Sequence, residues 1–334
     1  MAGNFVQLHN HTHYSLLDGA SKVPDLVKRV KELGMPAVGI TDHGNMHGAY
    51  ELWRAAVDSG VKPIIGIEAY VTPETARQDK TRVSWDTNWT PVPGHARNPD
   101  DVSGGGLITH LTMWAENDEG LVNLIKASSV ANLEGRVMRY PRMDKEVLST
   151  YSKGVIASSG CPSGIIQTRL RLGQFDEALR AAGEFQDIFG KDNFYIELMD
   201  HGLSIESKVT GDLLTIAKKL GAPLLATNDS HYVMEADKDA QDAMLCINSG
   251  ATLDDPNRFK FEGSGYYIKS AEEMRELFKD HPDACDNTLE IAERCNVIFD
   301  DHEDGAFMPQ FDCPEGWDET SLFLKKVEEG LEKR

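Results

Sequence analysis

The stretch FVQLHNHT, residues 5–12, sets a pattern that later parts of the chain repeat. In an extended strand successive side chains alternate between faces, so His9 and His11 point to one side while Val6 and Leu8 point toward covering helices. Two imidazoles that converge at a strand end are a common beginning of a metal site. One HxH pair is weak evidence by itself, so the remaining strands have to supply further ligands.

Short β-rich runs alternate with amphipathic segments along the chain. The predicted strands are residues 5–8, 37–41, 63–71, 107–115, 155–159, 194–199 and 223–227. The helical patterns cover residues 23–33, 49–59, 121–132, 175–189 and 205–220. This alternation is typical of a parallel βα architecture, and seven strands favour a closed barrel over a small open sheet. We therefore expect an α/β fold with a TIM-like barrel.

The pattern changes after residue 270. Helical patterns at 271–278 and 284–295 precede an acidic irregular stretch around Asp300, Asp301, Glu303 and Asp304. The last helical pattern, 321–334, has no stop signal, which predicts that the chain is a fragment of a longer protein. We expect a barrel domain over 1–270 and a helical extension over 271–334. The long polar segment 72–106 is either a lid, a binding loop or a disordered stretch.

Further residues that can bind metal lie in or just after the predicted strands. His43 follows the predicted strand 37–41, and Cys161 follows the predicted strand 155–159. Glu68 lies within the predicted strand 63–71, and His110 lies within 107–115. Asp229 and His231 follow the last strand and repeat the two-residue spacing of His9 and His11. In a parallel barrel the active site forms at the C-terminal ends of the strands, so these side chains are expected to meet there.

Glu68 lies within an apolar run. A buried carboxylate is costly unless it is paired, and a divalent cation would remove the penalty. A basic residue from a neighbouring strand is the alternative, although no predicted strand core contains one.

Cys161 could be a nucleophile, but Arg169 is eight positions on, too far for the CxxxxxR cradle of thiol phosphatases. A buried inert thiol is the other possibility for this residue.

Composition limits the partners and the compartment. The formal net charge is −20, so the chain is expected to bind DNA or RNA poorly by itself, because phosphate neutralisation supplies most non-specific affinity. Five cysteines at irregular spacings favour reduced thiols over a disulfide framework. The sequence contains neither a secretory signal pattern nor an apolar run of about 18 residues. We therefore expect a cytoplasmic protein with no membrane partner.

The motifs HNHTHYSLLDG (9–19), TDHGN (41–45) and TNDSHY (227–232), with Glu68, His110 and Cys161, resemble those of the PHP (polymerase and histidinol phosphatase) superfamily. They are especially similar to the amino-terminal PHP domains of bacterial DNA polymerase III alpha subunits. The resemblance covers residues 5–269, and 255–274 resembles the segment where such polymerases leave the barrel. It implies a distorted seven-stranded βα barrel whose mouth holds two or three divalent ions.

The resemblance also implies how the ligands are divided among the ions. One ion would be held by His9, His11 and Asp229, and would share Glu68 with a second ion on His110 and Cys161. The third ion would be held by Asp18, His43 and His231. Imidazoles with a thiolate favour zinc, with manganese or iron as alternatives. The attacking group would be a hydroxide held by the ions, and His13, Asp200 and His201 are weaker candidates that either contact phosphate or support the ligands.

The resemblance implies a 3′ to 5′ proofreading exonuclease acting on a DNA 3′ end within a polymerase, alongside other replisome subunits. The polymerase aspartates would lie beyond Arg334. Three alternatives remain: a phosphatase of the histidinol phosphate type, a structural metal-binding module, and an amidohydrolase. The last usually needs a bridging lysine, which no predicted strand core offers.

Overall fold

The computed structural model describes residues 5–86, 98, 100–101, 105–299 and 311–334. The chain divides into two compact units, Met1–Ile298 and Phe299–Arg334. The acidic stretch around Asp300 and much of the segment 72–106 lie outside the described residues.

Seven strands of the first unit form one curled, mixed sheet. They are β1 (Ala37–Ile40), β2 (Lys62–Val71), β3 (Thr109–Ala115), β4 (Arg142–Met143), β5 (Val155–Ser158), β6 (Phe194–Leu198) and β7 (Leu224–Ala226). The order across the sheet is β1-β2-β3-β5-β6-β7, and β4 pairs with β2. The strand β4 was not predicted from the sequence, because a two-residue strand carries no readable alternation.

The direction of β3 corrects the expectation of a parallel sheet. β1–β2, β5–β6 and β6–β7 are parallel, whereas β3 runs antiparallel to both β2 and β5. Hydrophobic alternation shows that a strand exists but not which way it runs. His110 is therefore at the beginning of its strand, yet it faces Tyr70 near the end of β2 and lies at the same edge as the C-terminal strand ends.

Helices cover the sheet and connect its strands. They are α1 (Val23–Glu32), α2 (Ala49–Ser59), α3 (Asp118–Glu134), α4 (Lys145–Thr150), α5 (Ile165–Arg171), α6 (Phe175–Phe189), α7 (Ser204–Leu220), α8 (Lys238–Ser249), α9 (Ala271–Leu277) and α10 (Pro282–Arg294). Local chemistry explains several starts: Pro24 begins the first turn of α1, and the Asn117 side chain accepts a hydrogen bond from Gly120 N at the start of α3. The sequence patterns did not predict α4, α5 and α8.

The segment 5–12 lies between β1 and the chain that follows β7. On one side Gly39 N donates to Gln7 O at 2.7 Å, and on the other His11 N donates to Ser230 O at 2.8 Å. The predicted strand 5–8 is thus present as one isolated bridge, between Gln7 and Val38, rather than as a regular strand. A Cβ atom on Gly39 would lie 2.3 Å from Leu8 O, so only glycine allows this close approach.

The core of the first unit extends beyond the sheet to α10. One buried cluster contains Val6 and Leu8 of the segment 5–12, side chains from most strands, Ile291 and Ala292 of α10, and Cys295 directly after it. Val6 N also donates to Thr288 Oγ1 of this helix at 3.0 Å. Helices after residue 270 therefore take part in the packing of the first unit.

The described part of the second unit contains one helix, α11 (Glu319–Lys333). Asp318 caps it by accepting a hydrogen bond from Ser321 N at 2.7 Å. Among the helices of the described residues, none combines the length and apolar character that a membrane span requires.

Candidate metal centre

Glu68 lies at the middle of the candidate centre. Its Oε1 is 3.0 Å from His110 Nδ1 and 3.7 Å from His9 Nε2. Its Oε2 is 2.7 Å from His43 Nδ1 and 3.3 Å from His11 Nε2. The carboxylate is 1% exposed, and β2 brings it here because its pairing with β1 continues to a bridge between His43 and Glu68.

Asp229 approaches the same group from the chain after β7. Its Oδ1 lies 3.0 Å from His11 Nε2 and 3.3 Å from His9 Nε2. Its backbone is left-handed, with φ of 44°, a conformation that aspartate tolerates better than most residues. A locally costly backbone at this position is typical of functional sites, where the surrounding structure holds it in place.

Asp18 and Cys161 complete the arrangement at opposite sides. Asp18 Oδ2 is 2.9 Å from His43 Nε2 and 3.4 Å from His231 Nε2. Cys161 Sγ is buried and lies 3.4 Å from His110 Nδ1. Together with Glu68 and Asp229, the structure brings all nine side chains named from the sequence into one continuous cluster.

The chemistry of the cluster fits divalent ions. Six of its atoms are buried and make no hydrogen bond within the described residues: His9 Nε2, His11 Nε2, His43 Nδ1, Glu68 Oε2, Asp229 Oδ1 and His231 Nε2. Such atoms are costly unless something pairs with them. Three groups have ligand atoms close enough for one ion each: His9, His11 and Asp229; His43, Glu68 and His110; and His11, His43 and His231. The first matches a set implied by the resemblance, and the other two divide the residues differently.

Hydrogen bonds to Nδ1 direct Nε2 of three histidines into the centre. His9 Nδ1 donates to Glu197 Oε1 at 2.7 Å, and His231 Nδ1 donates to the carbonyl oxygen of Asp229 at 2.8 Å. His11 Nδ1 donates to Ser15 Oγ at 2.9 Å, because that hydroxyl gives its own proton to Asp42. With Nδ1 engaged in this way, Nε2 is the nitrogen of each ring that is left to act as a metal ligand.

The electrostatics of the cluster hold its carboxylates ionised. Burial opposes the charged form of Glu68, but His110 and His43 more than offset it and hold the pKa of Glu68 well below its ordinary value. Burial likewise opposes the charged form of Asp229, and His9 and His231 lower its pKa. Burial, with Glu68 and Asp229 nearby, raises the pKa of the Cys161 thiol, so this side chain needs a cation beside it to become a thiolate.

Two residues that support the ligands were not singled out from the sequence. Glu197 in β6 accepts hydrogen bonds from His9 Nδ1 and from Thr227 Oγ1, the latter at 2.5 Å. Asp42 accepts from Thr12 N and Ser15 Oγ, both at 2.7 Å, and so fixes the turn that carries Ser15. The signal for Glu197 was a carboxylate inside an apolar strand, the same signal that identified Glu68.

The three weaker candidates have different surroundings. Both ring nitrogens of His201 are engaged, Nδ1 with Glu206 Oε1 at 2.6 Å and Nε2 with Asn228 O at 2.9 Å. Asp200 is exposed and accepts from Gly202 N. His13 packs on Tyr14 with ring centroids 4.3 Å apart, and its Nδ1 is buried without a hydrogen bond in the described structure. None of the three belongs to the cluster around Glu68.

The profile of the PHP domain family matches residues 7–201, which contain seven of the nine clustered side chains. The chain therefore belongs to the PHP domain family. It is similar to the DNA polymerase III subunit alpha of Mycobacterium leprae, with 51% identity over 99% of the chain, and to that of Mycobacterium tuberculosis, with 50% identity over 99%. The chain spans 28% and 27% of the lengths of these two relatives.

The fold has a distant likeness to a solved structure. A two-domain protein from Bacteroides vulgatus, described as containing a predicted PHP-like metal-dependent phosphoesterase, is 14% identical. The TM-score is 0.38, and the likeness covers 85% of this chain and 62% of that one.

Proposed function

We propose that this chain is a metal-dependent phosphodiesterase domain of a DNA polymerase III alpha subunit, which removes nucleotides from a DNA 3′ end. The observation that carries the proposal is the set of six buried imidazole and carboxylate atoms that converge around Glu68 without a hydrogen bond among the described residues. Similarity to alpha subunits supports the polymerase context, with DNA and other replisome subunits as partners.

The proposed ligands are His9, His11, Asp18, His43, Glu68, His110, Cys161, Asp229 and His231, around two or three ions. Zinc fits the imidazole-rich set with a thiol best, and manganese or iron are alternatives. When bound, such ions supply a water of lowered pKa and stabilise charge on a phosphate. The chain's part is to fix the ligand orientations through Glu197 and Asp42 and to exclude bulk water from the buried side of the cluster.

The same proposal extends to the architecture. Hydrogen bonds on both sides of the segment 5–12 support its role as the element that closes a distorted seven-stranded barrel. Residues 1–270 would carry the metal chemistry, and 271–334 would begin the connection to the rest of the polymerase.

A structural metal module is the second candidate, and one observation favours it. His9 and His11 are completely buried and Glu68 is 1% exposed, so ions in this place would also stabilise the fold. A conservative replacement of a ligand should lower stability if the site is structural, whereas it should lower turnover first if the site is catalytic.

A paired assay tests the proposal. The chain loaded with zinc or manganese is given a 3′-labelled single-stranded oligonucleotide and, separately, a small phosphomonoester. We expect release of 3′ nucleotides, and at least a hundredfold loss in Asp18→Asn and His43→Asn at temperatures where both remain folded. Asp187→Asn on α6, which is exposed, is the matched control and should retain full activity. Hydrolysis of the monoester alone would indicate a small-molecule phosphatase, and loss of stability without any turnover would indicate a structural module.

A further inference from the structure

The helix α8 holds the loop that carries Asp18. Gln241 Nε2 donates to Asp18 O at 3.2 Å, and Asn248 Nδ2 donates to Leu17 O at 3.3 Å. Leu17 has a left-handed backbone with φ of 61°, so these bonds stabilise a locally unfavourable turn. The position of a candidate ligand thus depends on this helix.

The same helix anchors two further loops, residues 136–140 and 252–262, which we call the rim loops. Arg139 donates to Asn248 Oδ1, and Arg258 forms a two-pronged ion pair with Asp242. A planar guanidinium paired with a carboxylate has a defined geometry, so this ion pair fixes the position of the second rim loop relative to α8. One helix therefore ties both rim loops to the loop of the metal centre.

Aromatic rings lead outward from the centre along the second rim loop. The Phe261 ring meets the His231 ring edge-on, with centroids 4.7 Å apart and an interplanar angle of 81°. Phe259 follows at 5.9 Å from Phe261. Phe259 is 61% exposed, although its position is fixed by the neighbouring Arg258 anchor. Two ring contacts thus connect a candidate ligand with an aromatic face open to solvent.

A similar series lies on the side of His43. The Tyr70 ring is 5.7 Å from the His43 ring, and the Tyr140 ring of the first rim loop is 5.0 Å from Tyr70. The Arg139 guanidinium lies 5.3 Å from the Tyr140 centroid. Each rim loop therefore combines an aromatic ring with a cation next to it in sequence, Arg139 beside Tyr140 and Lys260 beside Phe259.

The two cations of the rim loops are not neutralised by carboxylates of the described residues. Arg139 is hydrogen-bonded to the neutral amide of Asn248, and Lys260 is exposed. Within the part of the chain that the structure describes, neither has a carboxylate partner. Two cations without carboxylate partners in the described structure, one beside the half-buried ring of Tyr140 and one beside the exposed ring of Phe259, indicate an anionic, flat-faced ligand.

We propose that the two rim loops bind single-stranded DNA next to the metal centre, with Arg139 and Lys260 on phosphates and with Tyr140 and Phe259 stacked on unpaired bases. The proposal rests on the phosphodiesterase function proposed above and names how its substrate is held. A single strand fits because only unpaired bases expose the faces that stack on aromatic rings.

Binding and cleavage are measured separately on the metal-loaded chain. The probe is a short oligodeoxynucleotide with 2-aminopurine near its 3′ end, whose emission reports stacking. We expect Phe259→Ala and Tyr140→Ala each to weaken binding about tenfold, as for loss of one stacked base. Phe259→Tyr should keep wild-type affinity. The matched control is Phe323→Ala on α11, a residue 67% exposed, which should change nothing.

Salt dependence tests the cations. Each of Arg139→Ala and Lys260→Ala should reduce the slope of log affinity against log salt by about 0.7, the value for one phosphate contact on a single strand. Lys153→Ala, a lysine 79% exposed and paired with Glu119, should leave the slope unchanged.

The outcomes distinguish this proposal from the proposed function. Cleavage of the oligonucleotide with unchanged affinity, emission and salt slope in all four rim variants would overturn the rim proposal and leave the phosphodiesterase standing. Binding that depends on the rim residues without cleavage by the wild type would support the rim proposal and reject the phosphodiesterase. Absence of binding by the wild-type chain at millimolar protein would reject the rim loops as a DNA site.

Discussion

At the residue scale, Glu197 determines how His9 can act. The carboxylate accepts a hydrogen bond from His9 Nδ1, so that Nε2 faces the centre, and it accepts further hydrogen bonds from Ser158 and Thr227. A residue that does not touch the proposed ions thereby sets the protonation and orientation of a ligand.

Replacing Glu197 with Gln should weaken metal binding by about 10- to 100-fold while the fold is kept, because the shape is retained and the fixed acceptor charge is lost. A zinc titration in competition with a chromophoric chelator measures this. Glu276→Gln on α9, at a side chain 76% exposed, is the control. Equal zinc affinities in wild type and Glu197→Gln would show that Glu197 has no such role.

Lys269 is a buried cation next to the segment of Asp229. It donates to Asn228 Oδ1 at 2.5 Å and to the carbonyl of Gly265. Burial lowers its pKa from 10.5 to about 8. The folded protein therefore releases this proton at a lower pH than the unfolded chain does.

Between pH 8 and 10.5 the unfolded state holds more protons at this position, so the contribution of Lys269 to the free energy of unfolding rises with pH. Below pH 8 both states are protonated and the contribution is constant. The free energy of unfolding of wild type minus Lys269→Met should increase across this window by about 3 kcal/mol at most. Urea unfolding of both metal-free proteins at several pH values measures it, and parallel curves would contradict it.

At the element scale, the contact between β1 and the segment 5–12 is a tight constraint on the centre. Gly39 lies against the backbone of Leu8, one residue before His9. Any side chain there pushes the segment that carries His9 and His11 away from the strand that leads to His43.

Gly39→Ala should lower the free energy of unfolding by about 1–3 kcal/mol, because a Cβ 2.3 Å from Leu8 O forces a backbone shift. Gly211→Ala in α7, where a Cβ meets nothing within 4 Å, should instead raise it by about 0.5–1 kcal/mol. Denaturant unfolding of the two variants compares them. If Gly39→Ala were as stable as wild type, the close packing of these elements would be refuted.

What the sequence could predict depended on local pattern. The predicted positions of β1, β2 and β5 to β7 agree with the structure to within one or two residues, since alternation and turn residues mark strands directly. The direction of β3 depends on its pairing partners, which lie far away in sequence. Glu197 and Asp42 acquire their roles only through hydrogen bonds across the fold. Eight of the nine ligand candidates could be named because each lies in or just after a predicted strand, whereas Asp18 was named only through the resemblance to the PHP motifs.

At the scale of the whole molecule, the buried cluster couples metal content to stability. Ions that bind only the folded chain stabilise it by mass action, by about 4 kcal/mol when the free ion is at a thousand times its dissociation constant. The orphaned imidazole and carboxylate atoms give the folded state this preference.

Treatment with EDTA should therefore lower the thermal unfolding midpoint by several degrees. Zinc should restore it, and calcium should restore it less, because calcium prefers oxygen ligands to imidazoles. Differential scanning calorimetry of the same sample before and after each addition provides the test. A midpoint that does not respond to chelation would mean that the cluster holds no tightly bound ion.

The segment 5–12 also has a consequence for how the protein is made. Its hydrogen-bonding partner Ser230, and the Thr288 hydroxyl that accepts a hydrogen bond from Val6 N, are synthesised more than 200 residues after it. Pairings so distant in sequence form slowly, because the intervening chain must first be ordered. The nascent histidine pair therefore stays unshielded until these partners have been made, and the interval before closure is when the growing polypeptide has greatest need of chaperones.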